Sequence, residues 1–301
     1  MRWDDMRRSD NVEDSPDAPA RFGGSGFRLG GGAILAIVVV SLLLGKNPLD
    51  VLQLLAGGGD QPAPTQSMPS PAPPPGPRPT TDPQREFVAH VLGDTEDVWG
   101  GIFQQLGTHY QPPKLDLYRG QVESACGFAS AAMGPFYCPG DRKVYLDLSF
   151  FQDLSQRFGA PGDFARAYVI AHEVGHHVQN SLGLMDEVRR KTAGASQLTR
   201  NEVSVRQELQ ADCFAGVWGN SAAKRGLIDA HDVESGIAAA AAVGDDRLQK
   251  QARGYIVPES FTHGSSAQRV EWFKVGLASG DLRRCNTFAS PDLRPLVRRE
   301  Q

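Results

Sequence analysis

Basic excess is what this sequence most lacks: 31 Lys and Arg stand against 35 Asp and Glu, a net charge of −4. No basic stripe and no interleaving of aromatic with basic residues occurs, so no nucleic-acid partner is expected. Cysteine is scarce as well. The 4 cysteines contain no CxxC pair, which argues against a cysteine-based metal site. There is no repeat period, and long apolar runs are limited to one stretch, Gly30 to Gly45.

Against that background one motif stands out, His172-Glu173-Val174-Gly175-His176. With 7 histidines in the chain, an HExxH run is expected by chance only about 0.006 times. Phe164, Tyr168, Ala171, Gly175, Val178 and Leu182 follow at spacings of four and three, the apolar stripe of a helix, and Pro161-Gly162-Asp163 supplies a turn and N-cap before it. Histidines four apart lie one turn apart on a single helix face, where both imidazoles can reach one zinc ion. Glu173 is then the general base. Gly175 costs a helix about 1 kcal/mol relative to Ala, which points to close approach of another backbone or a substrate.

A catalytic zinc usually takes a third protein ligand and leaves the fourth position to water. Glu208-Leu209-Gln210-Ala211-Asp212 offers two carboxylates one turn apart on a second helix, started by a capping box at Thr199-Arg200-Asn201-Glu202. Glu208 would reach the metal, and Asp212 would accept the free ring N–H of a ligand histidine. A developing oxyanion also needs a donor. His263 is the first candidate and Arg269 the second, both at or inside a helix capped by Ser265-x-x-Gln268. His177 points about 100° away from His176 and reads as structural.

HEVGHHVQ followed by ELQADCFAGVW resembles the bacterial putative neutral zinc metallopeptidase family, within the zincins whose third ligand is the Glu of an ExxxD helix. The opening MRWDDMRRSDNVED, the segment GPFYCPGDRKVYLDLSFF and the late FTHGSSAQRVEWF share the likeness, so it runs nearly end to end. The resemblance implies His172, His176 and Glu208 as ligands of one catalytic Zn2+, Glu173 as base and Asp212 as the partner of a ligand histidine. It also implies that an edge strand beside the metal helix pairs with an extended peptide. Gly134-Pro135-Phe136-Tyr137 opens a hairpin that turns at Pro139-Gly140-Asp141 and returns through Lys143 to Asp147, and it is the candidate.

Residues 1–28 mix 5 Arg with 6 acidic residues and few large apolar groups, so they are expected to lack a fold of their own. Residues 29–45 read as a transmembrane anchor, since the run Gly30 to Gly45 covers about 24 Å of a hydrocarbon core of about 30 Å. A cleaved signal peptide is the alternative. The basic residues before this run place the N-terminus in the cytoplasm and the catalytic domain outside, as a single-pass protein of the cell membrane. Residues 46–82, rich in Gly and Pro, form a spacer.

Of the three possible cysteine pairings, Cys126–Cys138 with Cys213–Cys285 is favoured, because it closes one short loop and ties down the tail. Residues 83–301 then form one α+β domain, zincin-like and mostly helical, with helices near 84–106, 149–158, 163–182, 201–219, 232–252 and 265–279 and a small sheet. The expected function is a membrane-anchored zinc endopeptidase acting on peptides or unfolded proteins. A weakly proteolytic, chaperone-like peptide-binding module and a zinc hydrolase of other amides or esters remain alternatives.

Overall fold

The computed structural model describes residues 1–15 and 82–288. Its strands are β1 (Val12–Asp14), β2 (Lys114–Tyr118), β3 (Gln121–Ser124), β4 (Gly127–Ser130), β5 (Phe136–Cys138) and β6 (Lys143–Asp147). Its helices are α1 (Pro83–Gln105), α2 (Ser149–Gln156), α3 (Asp163–Ser181), α4 (Leu184–Thr192), α5 (Gln197–Lys224), α6 (Ala230–Ala242), α7 (Asp245–Arg253) and α8 (Ser266–Ser279). The result is a mostly helical α+β fold with a small sheet, as the patterning predicts.

The sheet runs β1-β2-β6-β5, with β1, β2 and β6 parallel and β5 antiparallel at one edge. The expected hairpin is therefore present as β5 and β6, although Gly134 and Pro135 lie just before the strand. β3 and β4 make a separate hairpin that the sequence reading did not include. Helix α3 runs through the core, burying Phe164, Tyr168, Ile170, Val174 and Val178 and packing against α1, α5 and α6. Each large apolar side chain so buried is worth about 1.5–3 kcal/mol.

Residues 1–15 correct the expectation of a leader without a fold. β1 pairs in register with β2, Val12 opposite Leu115, and completes the sheet edge away from β5. Most of the charges that make this stretch look unfolded find partners. Buried Glu96 of α1 accepts from Arg7 at 2.6 Å, Ser9 at 2.6 Å and Asn11 at 2.8 Å. Glu13 pairs with Lys143 at 2.7 Å and with Lys114, Ser15 donates twice to Asp116, and the Met1 ammonium lies 2.8 Å from Asp232. The backbone passes so close to α1 at Gly93 that a Cβ there would meet the Arg7 carbonyl at 2.1 Å.

The domain is thus built from residues 1–15 together with 82–288, not from 83–301 alone. The expected membrane span at 29–45 and nearly all of the spacer at 46–82 lie outside the described residues. Among the described residues, no helix is long and apolar enough to cross a membrane.

Two helix boundaries differ. α5 starts earlier, capped by Ser196, whose side chain accepts from Thr199 N, so the expected capping box at Thr199 to Glu202 falls inside the helix. The expected helix 232–252 is two helices, because Asp245 turns toward the 262–264 loop and accepts the backbone N–H groups of Thr262, His263 and Gly264. α4 was not expected.

Deleting residues 1–15 removes the β1–β2 ladder and the burial of Met6 and Val12, at a cost of about 3–6 kcal/mol. Thermal unfolding should show the midpoint of the truncated chain lowered by roughly 5–15 °C. An unchanged midpoint would show that the segment adds nothing to the fold.

Candidate metal centre

Helices α3 and α5 approach each other at Gly175, where an added Cβ would lie 2.9 Å from the Ala211 carbonyl oxygen. The bare position that the sequence marks as a close approach therefore meets the backbone of the second metal helix. That contact sets Glu208 and Asp212, either side of Ala211, against the two histidines one turn apart on α3.

His172 Nε2 lies 3.1 Å from Glu208 Oε2, and His176 Nε2 lies 3.3 Å from Glu208 Oε1. One ligand atom from each residue falls within 4.8 Å of the others. Tetrahedral zinc with bonds of about 2.0–2.1 Å separates neighbouring ligand atoms by roughly 3.4 Å, so this donor set fits a zinc ion.

Each histidine is oriented through its other nitrogen. His172 Nδ1 lies 2.8 Å from Asp212 Oδ1, and His176 Nδ1 lies 3.0 Å from Gln179 Oε1. Both Nε2 atoms are thereby turned toward Glu208. Asp212 is fully buried and also accepts from the Tyr168 hydroxyl and, at 2.9 Å each, from Arg269 Nε and Nη2.

The electrostatics favour a cation at this place. Burial opposes a charge on His172, but Asp212 and Glu208 outweigh it and raise its pKa. Burial likewise opposes a charge on His176, and Glu208 outweighs it. Glu208 in turn is held well below the usual carboxylate range despite burial, through His176 and His172. A proton and a metal ion compete for the same lone pairs, so a site that stabilises one positive charge suits the other. Glu173 is buried next to His172, and its charge reaches His176.

The two expected oxyanion donors separate. His263, 50% exposed at the side chain, has Nδ1 3.1 Å from Asp245 Oδ1, and Asp245 raises its pKa against the opposing effect of burial, with Glu208 adding to the rise. Arg269 is only 3% exposed; it donates to Asp212, Tyr168 and the Val243 carbonyl, and its Nη2 also lies 3.3 Å from His172 Nδ1 and 3.9 Å from Glu208 Oε2. Arg269 thus braces Asp212 behind His172.

His177 is buried, with Nε2 donating to the Gln111 carbonyl at 2.7 Å and Nδ1 accepting from the Tyr137 hydroxyl at 3.1 Å. Burial pulls its pKa down to about 4. Asn180 Nδ2 also donates to the Tyr137 oxygen at 2.9 Å, so β5 is fastened to the metal helix just past His176. Disulfides join Cys126 to Cys138 and Cys213 to Cys285. A cavity of about 890 Å³ opens at the N-terminal end of α3, between Arg119, Asp147 and Asp163, and none of the metal-centre residues lines it.

Sequence reasoning missed Tyr168, Gln179 and Asp245 as parts of the site. Tyr168 was legible only as an apolar stripe position. Asp245 and Gln179 carry no signal beyond being polar residues in helices.

The family model described as "Putative neutral zinc metallopeptidase" matches residues 1–288, and the chain belongs to that family. The Escherichia coli (strain K12) protein YpfJ is 48% identical over 293 residues, which cover 96% of this chain and 99% of that protein. Rv2575 of Mycobacterium tuberculosis and Mb2605 of Mycobacterium bovis are each 41% identical over 264 residues, 84% of this chain and 86% of theirs. All three relatives are uncharacterized proteins. No solved structure matches.

Asp212→Asn should keep the fold by circular dichroism yet weaken zinc binding about 10–100-fold, measured by competition with a chromophoric chelator. Wild-type affinity in that variant would remove Asp212 from the metal centre.

Proposed function

We propose that this chain is a zinc-dependent endopeptidase that hydrolyses peptide bonds in extended or unfolded polypeptides. The observation that carries the reading is the convergence of His172, His176 and Glu208 from two helices, with Glu173 in the same turn of α3. Zinc held by these three residues supplies a Lewis acid that polarises the scissile carbonyl and lowers the pKa of an adjacent water. Glu173 takes the proton of the attacking water and delivers it to the leaving amine. Asp212, braced by Arg269 and Tyr168, keeps His172 in the tautomer that leaves Nε2 for the metal.

His263 serves the developing oxyanion. Its Nδ1–H is committed to Asp245, so Nε2 carries a proton to donate only in the imidazolium form, which Asp245 favours. The substrate strand is Gly134 to Tyr137 running into β5: an antiparallel sheet edge strapped to α3 through Tyr137 recognises backbone and tolerates many side chains. The two disulfides favour an oxidising compartment for the domain.

Two measurements test the reading. Glu173→Gln should retain zinc while cleavage of an unfolded protein falls about 10²–10⁴-fold; a variant as active as wild type would end the assignment. The alkaline limb of kcat/KM should report loss of the His263 proton, above the ordinary value of 6.5 because Asp245 raises it. Asp245→Asn should move that limb to lower pH, and a limb that stays in place would remove His263 from the mechanism.

A further inference from the structure

His177 follows the ligand His176 on α3 but is turned toward the sheet. It is buried, and the rings of Tyr110 and Tyr137 stand edge-on to it at 5.6 and 5.4 Å. In the neutral ring its hydrogen bonds have a single polarity. The Gln111 carbonyl, 2.7 Å from Nε2, can only accept, so Nε2 carries the ring proton and Nδ1 offers a lone pair; Ser181 Oγ also lies 3.3 Å from Nε2. The Tyr137 hydroxyl, 3.1 Å from Nδ1, must therefore donate to it, and the same oxygen is left to accept from Asn180 Nδ2 at 2.9 Å. One hydroxyl is thus held from both sides by residues one turn apart on the helix that carries the two histidine ligands.

Tyr137 is the central residue of β5. At the next position Cys138 turns its carbonyl toward β6, where Arg142, the residue before that strand, donates its N–H at 2.9 Å. Successive residues of a strand turn their peptide groups to opposite sides, so the N–H and C=O of Tyr137 point away from β6, to the edge that no other described strand covers. Those are the groups with which an added extended chain must pair. The β6 ladder and the Cys126–Cys138 disulfide hold β5 within its own layer, whereas the described hydrogen bonds between β5 and α3 all run through the Tyr137 hydroxyl.

We infer that His177 is a positioning residue for the substrate: together with Asn180 it grips the Tyr137 hydroxyl, and so fixes the outward N–H and C=O of Tyr137 relative to α3 as the peptide group against which an extended chain is registered. The inference rests on the peptidase reading and names the residue that sets its substrate strand. His176 then serves the metal and His177, next in the chain, serves the sheet edge.

The experiment uses the full zinc-loaded chain carrying Glu173→Gln and reads the anisotropy of fluorescein-labelled casein, so that binding is measured without cleavage; zinc affinity is followed by competition with a chromophoric chelator. Tyr137→Phe, which keeps the ring and the backbone and removes only the hydroxyl, should bind casein about tenfold more weakly. His177→Phe should do the same, and the two together should cost little more, because both break one strap. Zinc affinity in Tyr137→Phe should stay within about twofold of its parent. Tyr145→Phe is the control: it removes a hydroxyl bonded to Asp141 at 2.8 Å within the same hairpin but outside the strap, and should leave casein binding within about twofold. With Glu173 restored, the Tyr137→Phe loss should appear in KM, with kcat held within about threefold. Should His177→Phe fail to fold, Tyr137→Phe alone decides. Unchanged casein binding in Tyr137→Phe would overturn the inference, as would an equal loss in Tyr145→Phe, a tenfold loss of zinc affinity, or a loss confined to kcat. A chain that binds casein through Tyr137 yet cleaves nothing with Glu173 in place refutes the peptidase reading and leaves the strap standing; one that holds zinc and binds no casein ends both.

Discussion

The closeness of α3 and α5 at Gly175 is the constraint on which the metal centre depends. Two histidines on one helix are a half-site, and the missing ligand must come from another backbone held a fixed distance away. With no side chain at Gly175, the Ala211 backbone lies within van der Waals reach, and Glu208 and Asp212 are carried to opposite ends of the same contact. A methyl group there would push the helices apart or bend one of them, and ligand distances of 3.1 and 3.3 Å leave little room for either.

Around this contact the polar groups divide into two kinds of support. Behind His172 lies a charged cluster in which Asp212 answers Arg269, Tyr168 and the imidazole at once; a buried carboxylate is tolerable only when every lone pair is so engaged. Behind His176 lies an uncharged path, from Gln179 through Gln210 to the Cys285 carbonyl. The sheet stands apart from both: its β5 edge is tied to α3 by Tyr137, while the opposite edge is formed by the first residues of the chain.

The N-terminal segment shows why composition misled. A stretch with few apolar residues and both signs of charge cannot build a core of its own, and that physical expectation is sound. It can still join a core built elsewhere, because Glu96, Lys114, Lys143 and Asp116 wait on α1 and the sheet with complementary groups. Nothing within residues 1–15 announces those partners, which lie 85 to 130 positions away. Arg269 shows the same limit of local reading: its place in a late helix near the site was legible, but its bonds to Asp212 and Tyr168 were not.

By itself the sequence determined what is local. The one-turn spacing of His172 and His176, the matching spacing of Glu208 and Asp212, the Ser265–Gln268 cap and the β5–β6 hairpin all follow from helix and strand periodicity and short-range hydrogen bonding, which leave regular marks along the chain. Only the tertiary structure decided the membership of residues 1–15 in the domain, the pairing of Asp245 with His263, the commitment of Arg269 to Asp212, and the path from His176 to Cys285. Those are contacts between single polar groups far apart in the chain, and such contacts have no period to read: a buried donor takes whichever acceptor the packing brings to it.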